Sequence, residues 1–340
     1  MSSSQVPPRS RSPHLVLVGP TASGKSALAL DLAERRRRRG EVVEIVSMDS
    51  MAVYRGMDIG TTTPTAAERA RVPHHLVDLV DPDEEFSVAR MLRSARDVLD
   101  ELERRGGLAI LVGGTGLYVQ ALVDDLDVPG RYPEVLAELE REPDTALLHR
   151  RLAELDPVAA GRMEPDNRRR VLRALEVGLG SGRPFSSYGT GLDSYPATPF
   201  VLTGLRLDRE VLVERARQRV ADQLAAGLLD EVRSLQGRPG GLSRTAAQAI
   251  GYDELASHLR GELTLDEAVE QVVARTRRLG VRQLRWFGRD PRIRWFDPDG
   301  ERTALLDDLD DHWRAASDAA TGSSLAKPAS EPGGGATTVG

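Results

Sequence analysis

The chain has 340 residues, 40% hydrophobic and 29% charged, with a net charge of −6, enough for one large domain or two modest ones. It contains no cysteine, which excludes disulfides, thiolate metal sites and a cysteine nucleophile. No apolar run of membrane-spanning length occurs, and residues 1–13 are Ser, Pro and Arg without an apolar core; a cytoplasmic protein with a disordered leader is expected.

The first element is the apolar run His14–Val18, read as a buried strand. It is followed by Gly19, Pro20, Thr21, Ala22, Ser23, Gly24, Lys25 and Ser26, a G-x-x-x-x-G-K-[ST] phosphate loop in its proper strand-loop-helix setting. The glycines let successive backbone N–H groups point at phosphate oxygens, and the helix that follows adds its positive end. Lys25 neutralises phosphate charge and Ser26 offers a hydroxyl to Mg²⁺, the one cofactor expected. Of 46 basic residues only Lys25 and Lys327 are lysine, so a chain that otherwise uses arginine has kept a compact ammonium inside this loop.

The helix 27–39 ends in five arginines before Gly40, a solvated helix end by default because the dipole favours cations there. Residues 41–48 read as a second strand, delivering Asp49 and Ser50 at its C-terminal end, where ligands bind in open α/β sheets. The stretch 54–64 has glycines and threonines without periodicity and reads as a loop over the site. A short extended segment (73–78), a helix (87–105) and a third buried strand (108–112) follow, the last entering the glycine turn Gly113-Gly-Thr-Gly-Leu-Tyr118. Strands alternating with helices predict a parallel sheet with right-handed crossovers.

From 126 to 199 strand signals vanish and the chain turns helical and charged, including a helix over 162–177, as expected of an inserted subdomain. The run 200–207 returns to the sheet; helices over 209–235 and 266–287 follow. From 316 to 340 the composition is rich in Ala, Ser, Gly and Pro, predicting a disordered tail. The fold class is therefore α/β: a P-loop NTPase-like parallel sheet flanked by helices, its core split into 14–125 and 200–315 by the helical insert, with a helical C-terminal region.

A phosphate loop alone says only that a phosphate or diphosphate binds. An ATPase usually has an apolar strand ending in Asp to hold Mg²⁺, but the strand at 108–112 ends in Gly-Gly-Thr. The only strand-end carboxylate is Asp49, placed to take a proton from a nucleophile. A P-loop kinase with Asp49 as base and a GTPase-like RNA-binding switch are the competing classes; the latter needs an Asn-Lys-x-Asp guanine motif, which the chain lacks.

The phosphate loop at 19–26, Asp49-Ser50 leading to Val-Tyr-Arg-Gly-Met-Asp-Ile-Gly-Thr at 53–61, Pro-His-His at 73–75, Gly-Gly-Thr-Gly-Leu-Tyr at 113–118 and Ala-Ile-Gly-Tyr at 249–252 together resemble the tRNA dimethylallyltransferases. So do Thr-Arg-Arg at 276–278, Arg-Gln at 282–283 and Trp-Phe at 286–287. The resemblance implies that the loop holds the diphosphate of dimethylallyl diphosphate and that the isoprenoid passes to N6 of the adenosine 3′ of a tRNA anticodon. It implies Asp49 as base, Thr115 on the oxygen bridging isoprenoid and diphosphate, and an arginine on the diphosphate, Arg219 being favoured over Arg215, one helical turn away. The tRNA contacts it implies are Asp49, Ser50, Met51, Ala52 and Thr115; Arg169, Arg170, Val171 and Arg173 in the insert; Gln248, Gly251 and Tyr252; and Arg278, Arg282, Gln283, Arg285 and Trp286. A monomer binding the tRNA anticodon stem-loop, with no membrane partner, is expected. The chain departs from the family at Ala52, Asp253, Val281 and Pro165-Asp-Asn167, none of which removes a chemical group from the transfer site.

The residues themselves carry an RNA signature. Between Arg275 and Arg294 lie eight arginines and one acid, interleaved with Trp286 and Phe287, and Arg278, Arg282, Arg285 and Arg289 share a helical face. Such a stripe can pair phosphates while the aromatics pack inward or stack on bases.

Overall fold

A computed structural model describes residues 13–189 and 191–323. The core is a six-stranded, all-parallel sheet in the order β3-β2-β4-β1-β5-β6. Its strands are β1 (Leu15–Val18), β2 (Val43–Ser47), β3 (His74–His75), β4 (Leu108–Gly113), β5 (Val201–Leu205) and β6 (Arg294–Phe296). β1, β2 and β5 are buried along their whole length, because both faces of a parallel sheet are covered; β1 is an unbroken apolar run, whereas β2 and β5 bury Glu44, Ser47 and Thr203 among their apolar residues.

On one face, Val16, Val18, Val46, Met48 and Leu111 pack under α4 (Val88–Arg104), α5 (Gly116–Val123), α11 (Leu228–Gln236), α12 (Tyr252–Leu259) and α13 (Leu265–Phe287). On the other, Leu15, Leu17, Ile45 and Ile110 pack under α1 (Lys25–Arg37) and α14 (Arg302–Ser323), the latter through Leu305, Leu309 and Trp313. Sequence reading missed α14. Its apolar stripe at every fourth residue runs along one face of a helix, and the helix continues through 316–323, so the tail boundary expected at 316 falls inside it. The leader before Pro13 and the tail beyond Ser323 lie outside the described residues.

α14 also changes the meaning of the arginine run. Arg36 is buried rather than solvated; its Nε donates to the fully buried Asp310 at 2.8 Å, and its guanidinium stacks 3.9 Å from the Trp313 ring. Arg39 and Arg314 converge on the same carboxylate. A helix end that looked like a solvent-facing charge cluster is a docking surface for a helix whose Asp310 lies 274 residues beyond Arg36 in sequence.

Other boundaries moved for local reasons. The stretch 54–64 holds a one-turn helix, α2 (Asp58–Thr61), whose first N–H groups donate to the Glu231 carboxylate. The helix expected over 209–235 breaks at Gly227 into α10 (Arg209–Ala225) and α11. α3 (Ala66–Arg71) precedes β3 and starts with a Thr65–Glu68 capping box. Within 126–199, α6 (Pro133–Leu139), α7 (Thr145–Leu155), α8 (Pro157–Gly161) and α9 (Arg168–Ser181) surround their own small core of Leu139, Leu148, Leu152, Val171, Leu172 and Leu175.

Candidate active site

Because β2, β4 and β1 are neighbours, the segments leaving their C-terminal ends meet: Asp49 after β2, Gly114–Thr115 after β4 and loop 19–26 after β1. The loop has the geometry of an anion nest. Ala22 (φ 62°) and Gly24 (φ 79°) are left-handed within it, the conformation that turns consecutive N–H groups toward one point. The Ser23 hydroxyl is buried and has no hydrogen-bond partner among the described residues, a cost that an anion seated on the loop would remove.

Lys25 Nζ donates to the carbonyl of Pro20 at 3.1 Å, folding the ammonium back over the loop. Burial lowers its pKa to about 8; the charge of Asp49 opposes that shift and the charge of Arg219 adds to it. Arg219, on α10, donates to Thr21 Oγ1 at 3.0 Å. Burial lowers its pKa from the ordinary guanidinium range, again against the charge of Asp49. Two recessed cations therefore flank the loop, and Asp49 is near enough for its charge to act on both.

Arg215, the alternative diphosphate ligand, is not part of this group. It forms an ion pair with Asp299 beyond β6, because four residues of helix carry it up α10 and away from Thr21. Asp49 accepts a hydrogen bond from Met51 N at 2.8 Å. Thr115, at the start of α5, accepts from Ser50 N at 3.1 Å and donates to Ser50 Oγ at 3.3 Å, so the β2 and β4 ends are tied together beside Asp49. Ser26 is exposed at the first turn of α1.

The residues expected to touch tRNA divide. Arg278, Arg282 and Arg285 are exposed on α13, and none has an acidic partner among the described residues. Arg289 departs from that stripe: α13 ends at Phe287, and Arg289 pairs with Asp193 at 3.2 Å and lies over the Trp286 ring. Arg169 and Arg170 are exposed in the insert and Gln248 is exposed before α12. Val171, in contrast, is a fully buried core residue of the insert, and Arg173 is spent on Glu176 (2.9 Å) and the Pro129 carbonyl (2.7 Å). Along α9 those two positions turn inward while 169 and 170 face out, as a 3.6-residue period requires.

Ala52 and Tyr252 are also buried. The Tyr252 hydroxyl donates to Glu231 Oε1 at 2.7 Å, burial and the Glu231 charge pushing its pKa up. Its ring leaves no room for a side chain at Gly60. Tyr252 and Glu231 thus clamp the segment that follows Asp49, and Gln223 completes the clamp on the Ile59 and Gly60 carbonyls. Gly251 caps α12 with its N–H on Glu254. Gln283 faces the phosphate loop instead of solvent: its Oε1 accepts from Thr21 N at 2.8 Å and its Nε2 donates to Gly114 O at 2.9 Å. Trp286 packs its ring on Gly116, where a Cβ would sit 2.4 Å from the indole.

Sequence reading missed an arginine-lined groove of about 260 Å³ bounded by Arg209, Arg277, Arg278, Val281 and Arg282. Arg277 lay within the basic run but off the stripe's face. Arg209 carried no signal at all, because only the packing of α10 on α13, with Leu212 against Gly280, brings it there.

Comparison with known proteins fits this arrangement. A family model described as IPP transferase matches residues 52–290. The tRNA dimethylallyltransferase of Desulforudis audaxviator (strain MP104C) is 45% identical over 296 residues, covering 86% of this chain and 93% of the relative. The chain belongs to the tRNA dimethylallyltransferase (IPP transferase) family. The dimethylallyltransferase of Kineococcus radiotolerans is 46% identical over 297 residues, 85% of this chain and 92% of that protein. Among solved structures, the full-length tRNA isopentenylpyrophosphate transferase of Bacillus halodurans superposes with a TM-score of 0.68 at 35% identity, covering 92% of this chain and 99% of its own. The family's α/β fold is thus shared along nearly the whole length. No helix among the described residues is long and apolar enough to cross a membrane.

Proposed function

We propose that this member of the family transfers a dimethylallyl group from dimethylallyl diphosphate to N6 of the adenosine immediately 3′ of a tRNA anticodon, releasing diphosphate, as a cytoplasmic monomer. The observation that carries the reading is the left-handed loop with its Ser23 hydroxyl unpartnered among the described residues, Lys25 folded over it onto the Pro20 carbonyl and Arg219 held on Thr21, while Asp49 leaves the same end of the sheet after β2. A single base beside a double cation is what attack by a weak amine on a diphosphate ester calls for.

The exocyclic amine of adenine is a poor nucleophile because its lone pair is delocalised into the ring. Asp49 accepts its proton as the C–N bond forms. The breaking C–O bond leaves its electron pair on the diphosphate, whose growing charge is met by the loop amides, Lys25 and Arg219 in a recessed site where such contacts act strongly. Thr115, whose hydroxyl accepts from Ser50 N at 3.1 Å beside Asp49, is the residue that would hold the bridging oxygen. The target base must leave its stack to reach a site at the strand ends, and the exposed arginines of α13 hold the RNA backbone around it.

Mg²⁺ belongs to this proposal as a companion of the substrate. No group of three His, Asp or Glu among the described residues could hold a resident ion, whereas the exposed Ser26 hydroxyl suits an ion that keeps waters and phosphate oxygens as its other ligands. Bound there, Mg²⁺ would neutralise part of the diphosphate charge.

Incubation with labelled dimethylallyl diphosphate and unmodified bulk tRNA tests the reading: the label becomes RNA-bound, with one diphosphate released per transfer. ATP consumption without tRNA, and no label transferred, would favour the kinase alternative.

A further inference from the structure

Gln283 sits on the helix that carries the exposed arginines, one residue after Arg282, yet its amide points into the protein. It makes two hydrogen bonds, one to each of two segments that the chain brings together from far apart. Its Oε1 accepts the Thr21 N–H of the phosphate loop at 2.8 Å, and its Nε2 donates to the Gly114 carbonyl in the β4–α5 turn at 2.9 Å. Thr21 is then held twice, since its hydroxyl takes the Arg219 guanidinium at 3.0 Å. The fit leaves no slack: a Cβ at Gly114 would lie 2.2 Å from the Gln283 amide nitrogen, and one turn along, Trp286 is seated on Gly116 in the same manner.

We propose that Gln283 is a positioning residue for the diphosphate loop, not an RNA contact, and that through it the RNA-facing helix α13 and the loop form one mechanical unit. An amide is suited to this role. It supplies the acceptor that Thr21 N–H needs and the donor that Gly114 carbonyl needs, without adding a charge beside a bound diphosphate. By occupying the Thr21 N–H it also fixes which loop amides remain free to meet the anion, and it sets the plane of the peptide that presents the Thr21 hydroxyl to Arg219. The inference rests on the reading of loop 19–26 as a diphosphate site, and its test is chosen to fail separately from that reading.

Inorganic pyrophosphate and an unmodified anticodon stem-loop are titrated separately into wild type, Gln283→Leu and Gln283→Glu, with thermal melting as a check on folding. Wild type should bind both; absence of pyrophosphate binding by wild type would remove the diphosphate reading itself. Gln283→Leu, which loses both hydrogen bonds, should weaken pyrophosphate by roughly tenfold, as expected for one or two buried hydrogen bonds, and leave RNA affinity within about twofold. Gln283→Glu keeps the acceptor but adds a negative charge and should be worse for pyrophosphate. The reverse pattern, RNA weakened and pyrophosphate unchanged, would overturn the proposal.

Gly114→Ala supplies a second route, because its methyl must displace the Gln283 amide. Alone it should weaken pyrophosphate as Gln283→Leu does; combined with Gln283→Ala it should add little further loss, the non-additivity expected of two residues sharing one contact. Simple additivity, or a Gly114→Ala protein with wild-type pyrophosphate affinity, would also overturn it.

Discussion

If the exposed arginines of α13 grip RNA phosphates, their removal must change how binding responds to salt, and the structure says which arginines count. Each phosphate neutralised releases counterions, so the slope of log affinity against log salt falls by roughly 0.7 per lost contact on single-stranded RNA and about 0.9 on duplex. Arg282 and Arg285 are exposed and have no acidic partner among the described residues; Arg282→Ala with Arg285→Ala should therefore lower the slope by about 1.4 to 1.8. Arg289→Ala should lower it by less than a full contact, because that guanidinium is already paired with Asp193. Arg173→Ala should leave the slope alone, its charge being committed to Glu176 and the Pro129 carbonyl. The assay is fluorescence anisotropy of a labelled anticodon stem-loop at several salt concentrations, with melting curves to show that the exposed substitutions do not disturb folding. Lines parallel to wild type for the double variant would refute the reasoning and move the RNA surface to Arg169 and Arg170.

Asp49→Asn keeps the hydrogen bond from Met51 N but cannot take a proton, so turnover should fall by roughly 10² to 10⁴ with RNA affinity unchanged; near-normal turnover in a steady-state assay would dismiss Asp49 as base. With its pKa near 8 in the free protein, Lys25 loses its charge as pH rises through that value, and affinity for dimethylallyl diphosphate should fall roughly tenfold between pH 7 and pH 9. Stability of the ligand-free protein moves the other way. Between about 8 and 10.5 the unfolded chain holds the Lys25 proton that the folded one has released, so that contribution rises with pH; a flat affinity profile by calorimetry would argue against a recessed ammonium. Asp310→Ala removes the buried partner of Arg36 beneath α14, leaving its guanidinium the ion pair with Glu41 at 3.1 Å, and should cost about 3 kcal/mol in urea unfolding. Burial alone would raise the Asp310 carboxyl, but hydrogen bonds from Arg39 and Arg36 outweigh it and hold its pKa below the ordinary value. Its contribution is therefore present at neutral pH and lost as pH falls through that depressed value, and stability that ignores acid equally in wild type and Asp310→Ala would contradict the pairing.

The central strands of the parallel sheet and the glycine-spaced loop could be read from the chain because each is a local pattern: a short run of mostly apolar residues, a turn with glycines at fixed spacing. Such features are dictated by backbone geometry within a dozen residues, and the structure leaves them where the pattern put them. What the chain could not declare is which side of a helix faces a distant partner. Arg219 and Arg215 differ by one helical turn, and only the packing of α10 over the loop sends one to Thr21 and the other to Asp299. Arg36 looks like a solvent charge until Asp310 arrives from the far end of the chain, and Tyr252, an implied tRNA contact, turns inward to give its hydroxyl to Glu231. α14 went unseen because its apolar residues are sparse and acquire meaning only against α1. Gln283 shows the difference most sharply: in sequence it sits among exposed arginines, and in the folded protein its amide is bonded to Thr21, 262 residues before it. Charge and hydrogen-bonding capacity are written in the residue, but the partner that satisfies them is fixed by tertiary packing, because burial penalises any polar group that folding leaves alone.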